Sequence, residues 1–519
     1  MKSGELLPRF MIHDLTPTVL SPWAVDDVLS CGMRAHPHLL EISAWPWLER
    51  LSRETGRRVT LEDVPPAEWD RIAAGGFDLL FLMGVWRRSA MGREIARSEP
   101  WLIEDYDRVL PGWTAGDVVG SPYCIQAYEP DDRMGGWAGL DAARHELRTR
   151  GIGVMVDFVP NHTAFDHPWV ATHTDRYVLG TEDDYRAAPS EFRQVADGVY
   201  VACGRDPYFA PWTDVAQLNY FNPGTRAAME ETLRTIAAHC DGVRCDMAML
   251  IINEVFGRTW RRLLRDKWPQ PQEEFWITTT RVTPELTYLA EVYWGLEGTL
   301  LDQGFDFAYD KRLIDCLHSP DAGACVRQIL AVDPRHGARL ARFLENHDEP
   351  RSATLGARLT AGTALVATLP GMRFFFDGQF EGRRVKVPVQ LGRWPDEPVN
   401  EFVSALYDRV LRFASDSLLH GGAWALLPVL SAGDHTFWDI VAYRWRSGTD
   451  LAVIVANPGE CQAQAHLAIT EDLFPGAEFD FEDALTDARY RWTRESLEAT
   501  GLYVRLEPGG AHLFKVRVV

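Results

Sequence analysis

The chain has 519 residues, of which 46% are hydrophobic and 24% charged, so it can form one large domain and a smaller one. Its 53 basic and 74 acidic side chains give a net charge of −21, which disfavours binding to nucleic acid or to anionic membranes. The composition also excludes a collagen-like chain, a disordered chain and a coiled coil.

Targeting and redox signals are weak along the whole chain. Met1–Pro8 contains no apolar stretch long enough for a signal peptide, and no run of about 18 apolar residues follows. We therefore expect a cytoplasmic protein without a membrane span. The eight cysteines form no CxxC pair and no cluster at zinc spacing, which predicts buried, reduced thiols.

Short apolar runs alternate with amphipathic helical stretches, a pattern typical of βα units around a parallel sheet. Three of the predicted helices are Leu140–Arg150, Thr225–His239 and Glu401–Ala414, the last with Asn400 as its N-cap. The predicted fold class is α/β, a (β/α)8 TIM barrel, because eight strands close such a barrel. The eight runs are Leu39–Ala44, Phe77–Met83, Gly153–Phe158, Gly242–Asp246, Tyr288–Glu291, Phe305–Tyr309, Arg342–Glu345 and Met372–Phe376.

Two segments depart from this alternation. Between Asn161 and Asp214 the chain is rich in Asp, His, Pro and aromatic residues and poor in helical periodicity, which predicts a short inserted lid domain after strand 3. After about residue 420, short β-type runs separated by turn residues predict a C-terminal antiparallel β-sandwich. We expect a catalytic barrel over 1–162 and 215–418, a lid over 163–214 and a C-terminal domain over 419–519.

Carboxylates lie at the ends of four predicted barrel strands. Asp157 ends strand 3, Asp246 ends strand 4, Glu291 ends strand 5 and Asp348 follows strand 7. The carboxyl ends of barrel strands meet at one face, where the active sites of such barrels lie. One such group could be a structural ion pair, for example Asp157 with Arg244, because a buried charge needs a partner. Convergence of the whole set indicates a functional site.

Two chemistries fit converging carboxylates. They can hold a divalent metal, or they can act as nucleophile and acid at a glycosidic carbon, with the two groups about 5–5.5 Å apart. Adjacent strands lie about 4.8 Å apart, which suits Asp246 and Glu291. Arg244 faces the same side as Asp246 and is expected to keep it ionised, whereas Glu291, near Tyr293 and other aromatic residues, is expected to carry the proton.

The glycosidic hypothesis explains more residues than its competitors. Asp348 would stabilise a positively charged transition state, and His162 and His347 would donate hydrogen bonds to sugar hydroxyls. A metal-dependent lyase or isomerase would need a catalytic Lys or a further ligand at a strand end, and Arg244 would oppose a cation there. A non-catalytic binding barrel would be expected to lack one of the three carboxylates.

At these positions the sequence resembles the α-amylase superfamily, glycoside hydrolase family 13, over the full barrel. The resemblance implies a TIM barrel followed by a C-terminal β-sandwich and a retaining glycosidase activity. Six segments in order look like family signatures: Gly120–Tyr123, Asp157–His162, Gln217–Tyr220, Gly242–Asp246, Glu291 after Tyr-Leu-Ala, and Asn346–Asp348.

The resemblance implies a role for each matching residue. Asp246 becomes the nucleophile, Glu291 the acid/base and Asp348 the transition-state stabiliser. Asp157 becomes a supporting residue bonded to Arg244. The implied substrate contacts are Tyr123, His162, Arg244, His347 and Arg351.

Departures from the family pattern concern calcium and substrate range. Met249 and Leu250 replace a Lys-His pair of many amylases, and Val85–Glu99 lacks the Asp-rich calcium loop of the oligoglucosidase branch. We therefore expect no cofactor; calcium is possible but unsupported, although Asn161 matches a ligand position in some members. Cys124 stands where the α-glucosidase branch has an Asp that pairs with the residue matching Arg351.

The predicted function is a retaining α-glycoside hydrolase that acts on α-glucosidic bonds of oligosaccharides or disaccharides. A transglycosylase with the same three carboxylates and a non-catalytic carbohydrate-binding homologue are the alternatives. Among the 19 tryptophans, Trp45, Trp47 and Trp294 are the candidates for stacking on sugar. His36 and His38 are expected at the surface or at a strand edge.

Overall fold

A computed structural model describes residues 33–264, 267–332 and 334–519. Eight parallel strands, numbered β1–β8 in chain order, close into a barrel in which each strand pairs with the next and β8 pairs with β1. The expectations for residues 1–32, including Met1–Pro8, lie outside the described residues. The strands are β1 His38–Ser43, β2 Leu79–Met83, β3 Gly153–Phe158, β4 Gly242–Cys245, β5 Thr287–Ala290, β6 Phe307–Tyr309, β7 Leu340–Arg342 and β8 Met372–Phe376.

The predicted TIM barrel is confirmed, and seven of its strands lie within about two residues of the predicted runs. The prediction for strand 7 is wrong: Arg342–Glu345 was expected, but β7 ends at Arg342. The neighbouring strand β6 ends at Tyr309, which pairs with Ala341, so no ladder on that side continues past β7. Glu345 lies in the loop after β7 and binds the residues that follow it.

Helices cover the outside of the barrel. Asn400 caps the helix Glu401–Ala414 as predicted, since its Oδ1 accepts a hydrogen bond from Val403 N at 3.2 Å. The helices are Ala44–Thr55, Pro66–Ala74, Ala90–Ser98, Pro100–Val109, Gly136–Arg148, Pro223–His239, Asn253–Leu264, Phe275–Val282, Glu297–Asp302, Lys311–His318, Ala322–Val332, Pro334–Gly337, Leu359–Thr368, Glu401–Ala414 and Leu418–Gly421.

The segment after β3 forms a small antiparallel sheet with two short helices, Pro168–Thr172 and Glu182–Ala187. Its strands are His162–Ala164, Leu179–Gly180, Phe192–Ala196, Val199–Gly204 and Trp212–Gln217. A separate two-stranded ribbon pairs Trp86–Arg88 with Ile125–Pro130. Both structures extend from the carboxyl ends of barrel strands, so they wall the face on which the candidate site lies. The lid boundaries given above stay predictions.

The C-terminal part is the predicted antiparallel sandwich, made of a six-stranded and a three-stranded sheet. Buried Val453, Phe479 and Phe514 belong to its own apolar core, and Arg494–Thr500 is its helix. Its strands are Ala423–Leu426, Val429–Ser431, Val441–Ser447, Asp450–Ala456, Ala463–Leu467, Glu478–Asp483, Arg489–Thr493, Leu502–Leu506 and Ala511–Val518.

Apolar side chains fill the barrel interior, as alternation along the strands requires. Leu39, Phe81, Met155 and Leu289 are among the interior group, whereas residues of opposite parity pack against the helices. Polar groups enter this interior only near the carboxyl ends, where the site begins. None of the helices in the described ranges is long and apolar enough to cross a membrane.

Two minor expectations need correction. His36 and His38 are buried beneath the barrel, not at the surface, and burial together with the Arg373 cation lowers the pKa of both rings. Cys316 and Cys325 form a disulfide, because two helices joined by a tight turn bring their Cα atoms to 5.4 Å. Of the other described cysteines, Cys461 is exposed and four are buried thiols.

Candidate active site

A cleft of about 570 Å³ opens at the carboxyl ends of the barrel strands. Tyr123, His162, Asp246, Glu291 and Asp348 all line it, so the structure brings together residues from five separate sequence motifs. Walls of the cleft come from the helices after β2 and from the strand Trp212–Gln217 of the inserted sheet. A concave site with converging polar groups is the usual form of a small-ligand or catalytic pocket.

Backbone ladders hold Asp246 and Glu291 side by side. Asp246 N donates to Phe158 O at 2.8 Å, and Glu291 N donates to Cys245 O at 3.0 Å. The parallel hydrogen-bond pattern thus continues one residue beyond β4 and β5. Both carboxyl groups are buried, with 6% and 3% of the residue exposed.

Arg244 joins the two carboxyl groups. Its Nη1 donates to Asp246 Oδ1 at 2.9 Å, and its Nη2 lies 2.8 Å from Glu291 Oε2. The guanidinium is fully buried, and its Nε donates to Tyr309 Oη at 3.3 Å. A planar fork of this kind matches two carboxylate oxygens at once, so it fixes their relative position.

Burial raises the pKa of Asp246 to about 8, with a further contribution from the Glu291 carboxylate that exceeds the lowering by Arg244. The expectation that Arg244 keeps Asp246 ionised is therefore not met in this structure, because the single charge of Arg244 is paired with two buried carboxyl groups. Two buried acids that share one cation favour holding a proton, which is why the pKa of Asp246 is raised.

Glu291 receives two further hydrogen bonds. Met247 N donates to its Oε2 at 2.7 Å, and Tyr293 Oη donates to its Oε1 at 2.9 Å. Met247 has φ 42°, a left-handed conformation that is uncommon for a residue other than glycine. This turn directs the amide toward Glu291 directly after the strand that carries Asp246, and so ties the two strand ends together.

Asp348 lies across the cleft in a turn that Asn346 stabilises, since Asn346 Oδ1 accepts from the backbone N of Asp348 and Glu349 at 2.8 Å each. Its carboxylate is 3.0 Å from His347 Nε2 and about half exposed. Partial burial by itself raises the pKa of Asp348, but the positive charge and hydrogen bond of His347 outweigh it and hold that pKa far below its usual range.

His347 is the most heavily bonded ring of the site. Its Nδ1 is 2.5 Å from Glu41 Oε1, and its Nε2 is 2.5 Å from Tyr123 Oη. Burial would lower the pKa of His347, yet Asp348 and Glu41 raise it well above the ordinary value. Glu41 and Tyr309 were not predicted as site residues from the sequence; for Glu41 the available signal was an acid among the apolar residues Leu39–Ile42 of a barrel strand.

Asn161 and His162 follow β3, and His162 begins the first strand of the inserted sheet. Burial lowers the pKa of His162 to about 4, so its ring is neutral, and it packs 5.4 Å from the Trp212 ring. The Asn161 amide is engaged with Gln217, whose Nε2 donates to Asn161 O and Oδ1 at 2.9 Å. Among the described residues no group of three or more His, Cys, Asp or Glu side chains is arranged to hold a metal ion.

Asp157 supports the site from below rather than through a hydrogen bond to Arg244. Its Oδ2 accepts from Gly84 N at 2.8 Å, while Oδ1 is 3.7 Å from Arg244 Nη1. Burial raises the pKa of Asp157 to about 6, and Arg244 counteracts that rise. The predicted bond to Arg244 is thus an ion pair at longer range.

Arg351 is buried in a different set of contacts. Its Nη1 donates to Glu345 Oε1 and to Asp377 O at 2.8 Å each, and its guanidinium stacks 4.4 Å from the Phe376 ring. It lines a small cavity and a groove of about 710 Å³ beside His347, but not the cleft that contains Asp246. Cys124, at the position of the missing Asp, donates through Sγ to Asp214 O at 3.2 Å.

Of the three tryptophan candidates, Trp294 is 38% exposed, whereas Trp47 is buried against Trp69 and donates to Glu68. Trp45 lies under the guanidinium of Arg133 at 4.4 Å. The stacking prediction therefore fails for Trp47, whose ring has no accessible face, and Trp45 has its ring covered by cations.

An exposed aromatic group surrounds Trp294. Tyr208 and Phe209, in the inserted segment, are 59% and 70% exposed, and the Tyr208 and Trp294 rings meet edge to face at 4.9 Å. Buried Asp206 holds their loop, since its Oδ1 accepts from the backbone N of Tyr208 at 2.6 Å and of Phe209 at 2.9 Å. Exposed large aromatics in one place indicate a binding surface. Sequence analysis missed Tyr208 and Phe209, because their neighbours in space are distant in the chain.

Comparison with known proteins supports the family reading. No family model matches the chain. The chain is 28% identical over 320 residues to alpha-amylase MalA of Haloarcula japonica, covering 60% of this chain and 43% of that protein. It is 24% identical over 270 residues to alpha-amylase 3 of Dictyoglomus thermophilum, covering 49% of this chain and 50% of that one. The chain thus spans about half the length of these curated relatives.

Solved structures share the fold across most of the chain. The maltogenic alpha-amylase AmyB from Thermotoga neapolitana superposes with a TM-score of 0.64 at 18% identity, over 93% of this chain and 99% of that one. Trehalose-6-phosphate hydrolase from Bacillus licheniformis gives 0.63 at 13% identity, with 93% and 99% coverage. The barrel fold and the curated relatives together confirm the resemblance to the α-amylase superfamily, glycoside hydrolase family 13.

Proposed function

We propose that this protein is a retaining α-glycoside hydrolase that cleaves α-glucosidic bonds of oligosaccharides by double displacement. One observation carries the proposal: Arg244 holds Asp246 and Glu291, from adjacent strand ends, side by side in the cleft. Two neighbouring carboxyl groups of which one is protonated are the requirement for this reaction.

In the first step, a carboxylate oxygen of Asp246 bonds to the anomeric carbon while the bond from that carbon to the glycosidic oxygen breaks. Glu291 gives its proton to the departing oxygen, so the leaving sugar departs as an alcohol. In the second step, water gives a proton to Glu291 and its oxygen replaces Asp246 on the anomeric carbon. Two inversions leave the product with the configuration of the substrate.

This sequence needs the shared proton of the pair to lie on Glu291 when the bond breaks. In this structure the donors around Glu291 and the raised pKa of Asp246 favour the proton on Asp246. We propose that a bound sugar reverses this preference. The glycosidic oxygen accepts a hydrogen bond only from a protonated Glu291, and the developing positive charge at the anomeric carbon favours an ionised Asp246.

The surrounding residues suit an oxocarbenium-like transition state. The low pKa of Asp348 keeps a negative charge on the far wall of the cleft, where it would stabilise the positive ring. Tyr123 presents its ring beside this region, with the Arg244 guanidinium 5.3 Å from its centroid, and would stack on the sugar. Neutral His162 would donate to a sugar hydroxyl, whereas both ring nitrogens of His347 are already in contact with protein oxygens.

The aromatic group of Tyr208, Phe209 and Trp294 supports an oligosaccharide rather than a small aryl glycoside as substrate. Trp294 follows Glu291 by three residues, which is the argument for assigning this group to the leaving sugar. Aromatic rings stack on the apolar faces of sugars. A sugar held there could also accept the glycosyl unit in place of water, which is the feature that keeps transglycosylation as the second candidate.

The test is proton NMR of the reaction with maltose, maltoheptaose, isomaltose, sucrose, trehalose and an aryl α-glucoside. The α-anomer should appear first, and Asp246→Asn should abolish turnover while Asp157→Asn retains part of it. Products longer than the substrate would indicate transfer rather than hydrolysis. A first product of β configuration, or full activity in Asp246→Asn, would refute the proposed mechanism.

We also propose a cytoplasmic location, which cell fractionation can test. The five free cysteines among the described residues support it, while the disulfide between Cys316 and Cys325 counts against it, because such bonds are rare in the cytosol. Recovery of the protein in the periplasmic or culture fraction would reverse this assignment.

A further inference from the structure

Glu41 is a fully buried carboxyl group inside the barrel that the reaction described above does not use. It lies on β1 between Phe81 of β2 and Phe376 of β8 in the sheet register, at an interior position of the strand. Its Oε1 meets His347 Nδ1 at 2.5 Å, and within the described residues its Oε2 has no hydrogen-bond partner. Burying a carboxyl group with only one of its oxygens hydrogen-bonded lowers the stability of the fold. Its presence here therefore suggests a function.

The positions of the oxygen atoms around the His347 ring bear on whether one or both of its nitrogens carry a proton. Carboxyl oxygens lie at both ring nitrogens, Glu41 at Nδ1 and Asp348 at Nε2, at 2.5 and 3.0 Å. A neutral imidazole has a single N–H and would place a lone pair against one of these oxygens. With both carboxyl groups ionised, the two contacts are favourable together only when both nitrogens carry hydrogen, which is the imidazolium form.

Other charged groups near His347 act from neighbouring elements. Tyr123 Oη, from the loop after β2, meets Nε2, and Asp157 on β3 interacts with the ring at longer range. Arg88 and Arg351 line the same small cavity and oppose a positive charge on it. Glu41 is the acid that contacts the ring on the side facing away from the cleft. It offsets the repulsion that Arg88 and Arg351 exert on a charged ring, at a position that substrate does not reach.

We propose that Glu41 is a positioning residue that keeps His347 doubly protonated and, through it, keeps Asp348 ionised and correctly oriented for the reaction. This inference rests on the proposed function for its effect on catalysis. No proton moves in this arrangement. Glu41, His347 and Asp348 form a line of acid, imidazole and acid from the barrel interior to the cleft, in which His347 Nε2 lies 3.0 Å from Asp348 Oδ2 and also contacts Tyr123 Oη.

The first experiment measures His347 directly, by nitrogen NMR of protein labelled in the histidine rings, with signals assigned by their loss in His347→Asn. An ordinary histidine loses its proton near pH 6.5. We expect the two His347 nitrogens to remain equally protonated well above that pH in the wild-type protein. A neutral ring at about pH 7 would overturn the proposal without any variant or any substrate.

The second experiment replaces Glu41 by Gln, which keeps the size and an acceptor oxygen but removes the charge. The His347 titration should then move to lower pH, and kcat on a cleavable oligosaccharide should fall about 10- to 100-fold with little change in KM, the size expected from losing a charged hydrogen bond. The rate of the variant should decline as pH rises through the new His347 pKa, because the active form is the protonated one.

Glu345→Gln is the matched control, since Glu345 is equally buried and pairs with Arg351 at 2.8 Å but does not contact His347. It should lower stability without moving the His347 titration. Equal titration shifts in both variants, or no shift in Glu41→Gln, would refute the role of Glu41. If no sugar is cleaved yet Glu41→Gln alone shifts His347, the proposed function fails while the electrostatic role of Glu41 stands.

Discussion

Replacing Asp246 by Asn should stabilise the protein, and the gain should grow with pH. Folding raises the pKa of Asp246 to about 8, mainly through burial, whereas an unfolded Asp has a pKa near 3.9. The native state therefore binds this proton more tightly than the unfolded state does. Stability is lost as the pH rises from about 4 toward 8, with a slope of at most about 1.4 kcal/mol per pH unit. Asparagine does not titrate and removes this loss.

Between about pH 5 and pH 7, the advantage of Asp246→Asn should increase by at most about 2.7 kcal/mol. For a chain of this size we expect the difference between the midpoint temperatures of variant and wild type to widen by about 3 °C. Differential scanning calorimetry of both proteins at several pH values measures this difference. An unchanged or shrinking difference with rising pH would show that Asp246 is ionised in the native protein at neutral pH and would refute the account of a shared proton.

Asp348→Asn is the control of opposite sign. The pKa of Asp348 is held below its usual value, despite partial burial, by His347. Its contribution to stability is present above the unfolded pKa of about 3.9 and is lost as pH falls toward the folded pKa. Asp348→Asn should therefore lower stability at neutral pH and converge with wild type in acid. The same pH trend in both variants would contradict the assignment of two distinct environments.

Two further predictions concern surfaces away from the carboxyl pair. Trp294→Ala should lower kcat/KM for maltoheptaose about 2- to 10-fold through the loss of one stacking contact, and should leave kcat/KM for an aryl α-glucoside unchanged. The control is Trp438→Ala in the C-terminal part of the chain, where the side chain is 45% exposed; it should change neither value. Equal losses on both substrates in Trp294→Ala would argue against stacking. Peptide mapping after alkylation without reductant should recover Cys316 and Cys325 in one linked species, and free alkylated forms of both would disprove the bond.

Much of the fold could be predicted from local patterns. Strand β2 is a continuous apolar run, and β3 and β8 are apolar except for Asp157 and Arg373, because both faces of a barrel strand are buried. That hydrophobic pattern can be recognised without knowing the neighbouring strands. β7 was misplaced because its end depends on the length of β6, a property of the adjacent strand. The N-cap at Asn400 was predictable because capping involves residues three apart.

The carboxyl groups Asp246, Glu291 and Asp348 were also predictable as one group, since the carboxyl ends of barrel strands meet at one face wherever they lie in the chain. Their protonation was not. Asp246 was expected to be ionised because one arginine was assumed to pair with one acid. In the tertiary structure Arg244 pairs with two buried acids, Asp246 and Glu291. A pKa depends on burial and on every nearby charge, and neither is present in a linear pattern.

What the sequence by itself determined is the eightfold alternation, the antiparallel tail and the residue types at the strand ends, because these follow from hydrophobic period and strand direction. Only the tertiary structure decided which distant groups meet: Glu41 with His347, 306 positions apart, Tyr208 with Trp294, and Cys316 with Cys325. Such contacts depend on the closure of the barrel and on how loops pack over it. They determine the charge, shape and reach of the site, while the order of residues along the chain determines only its chemistry.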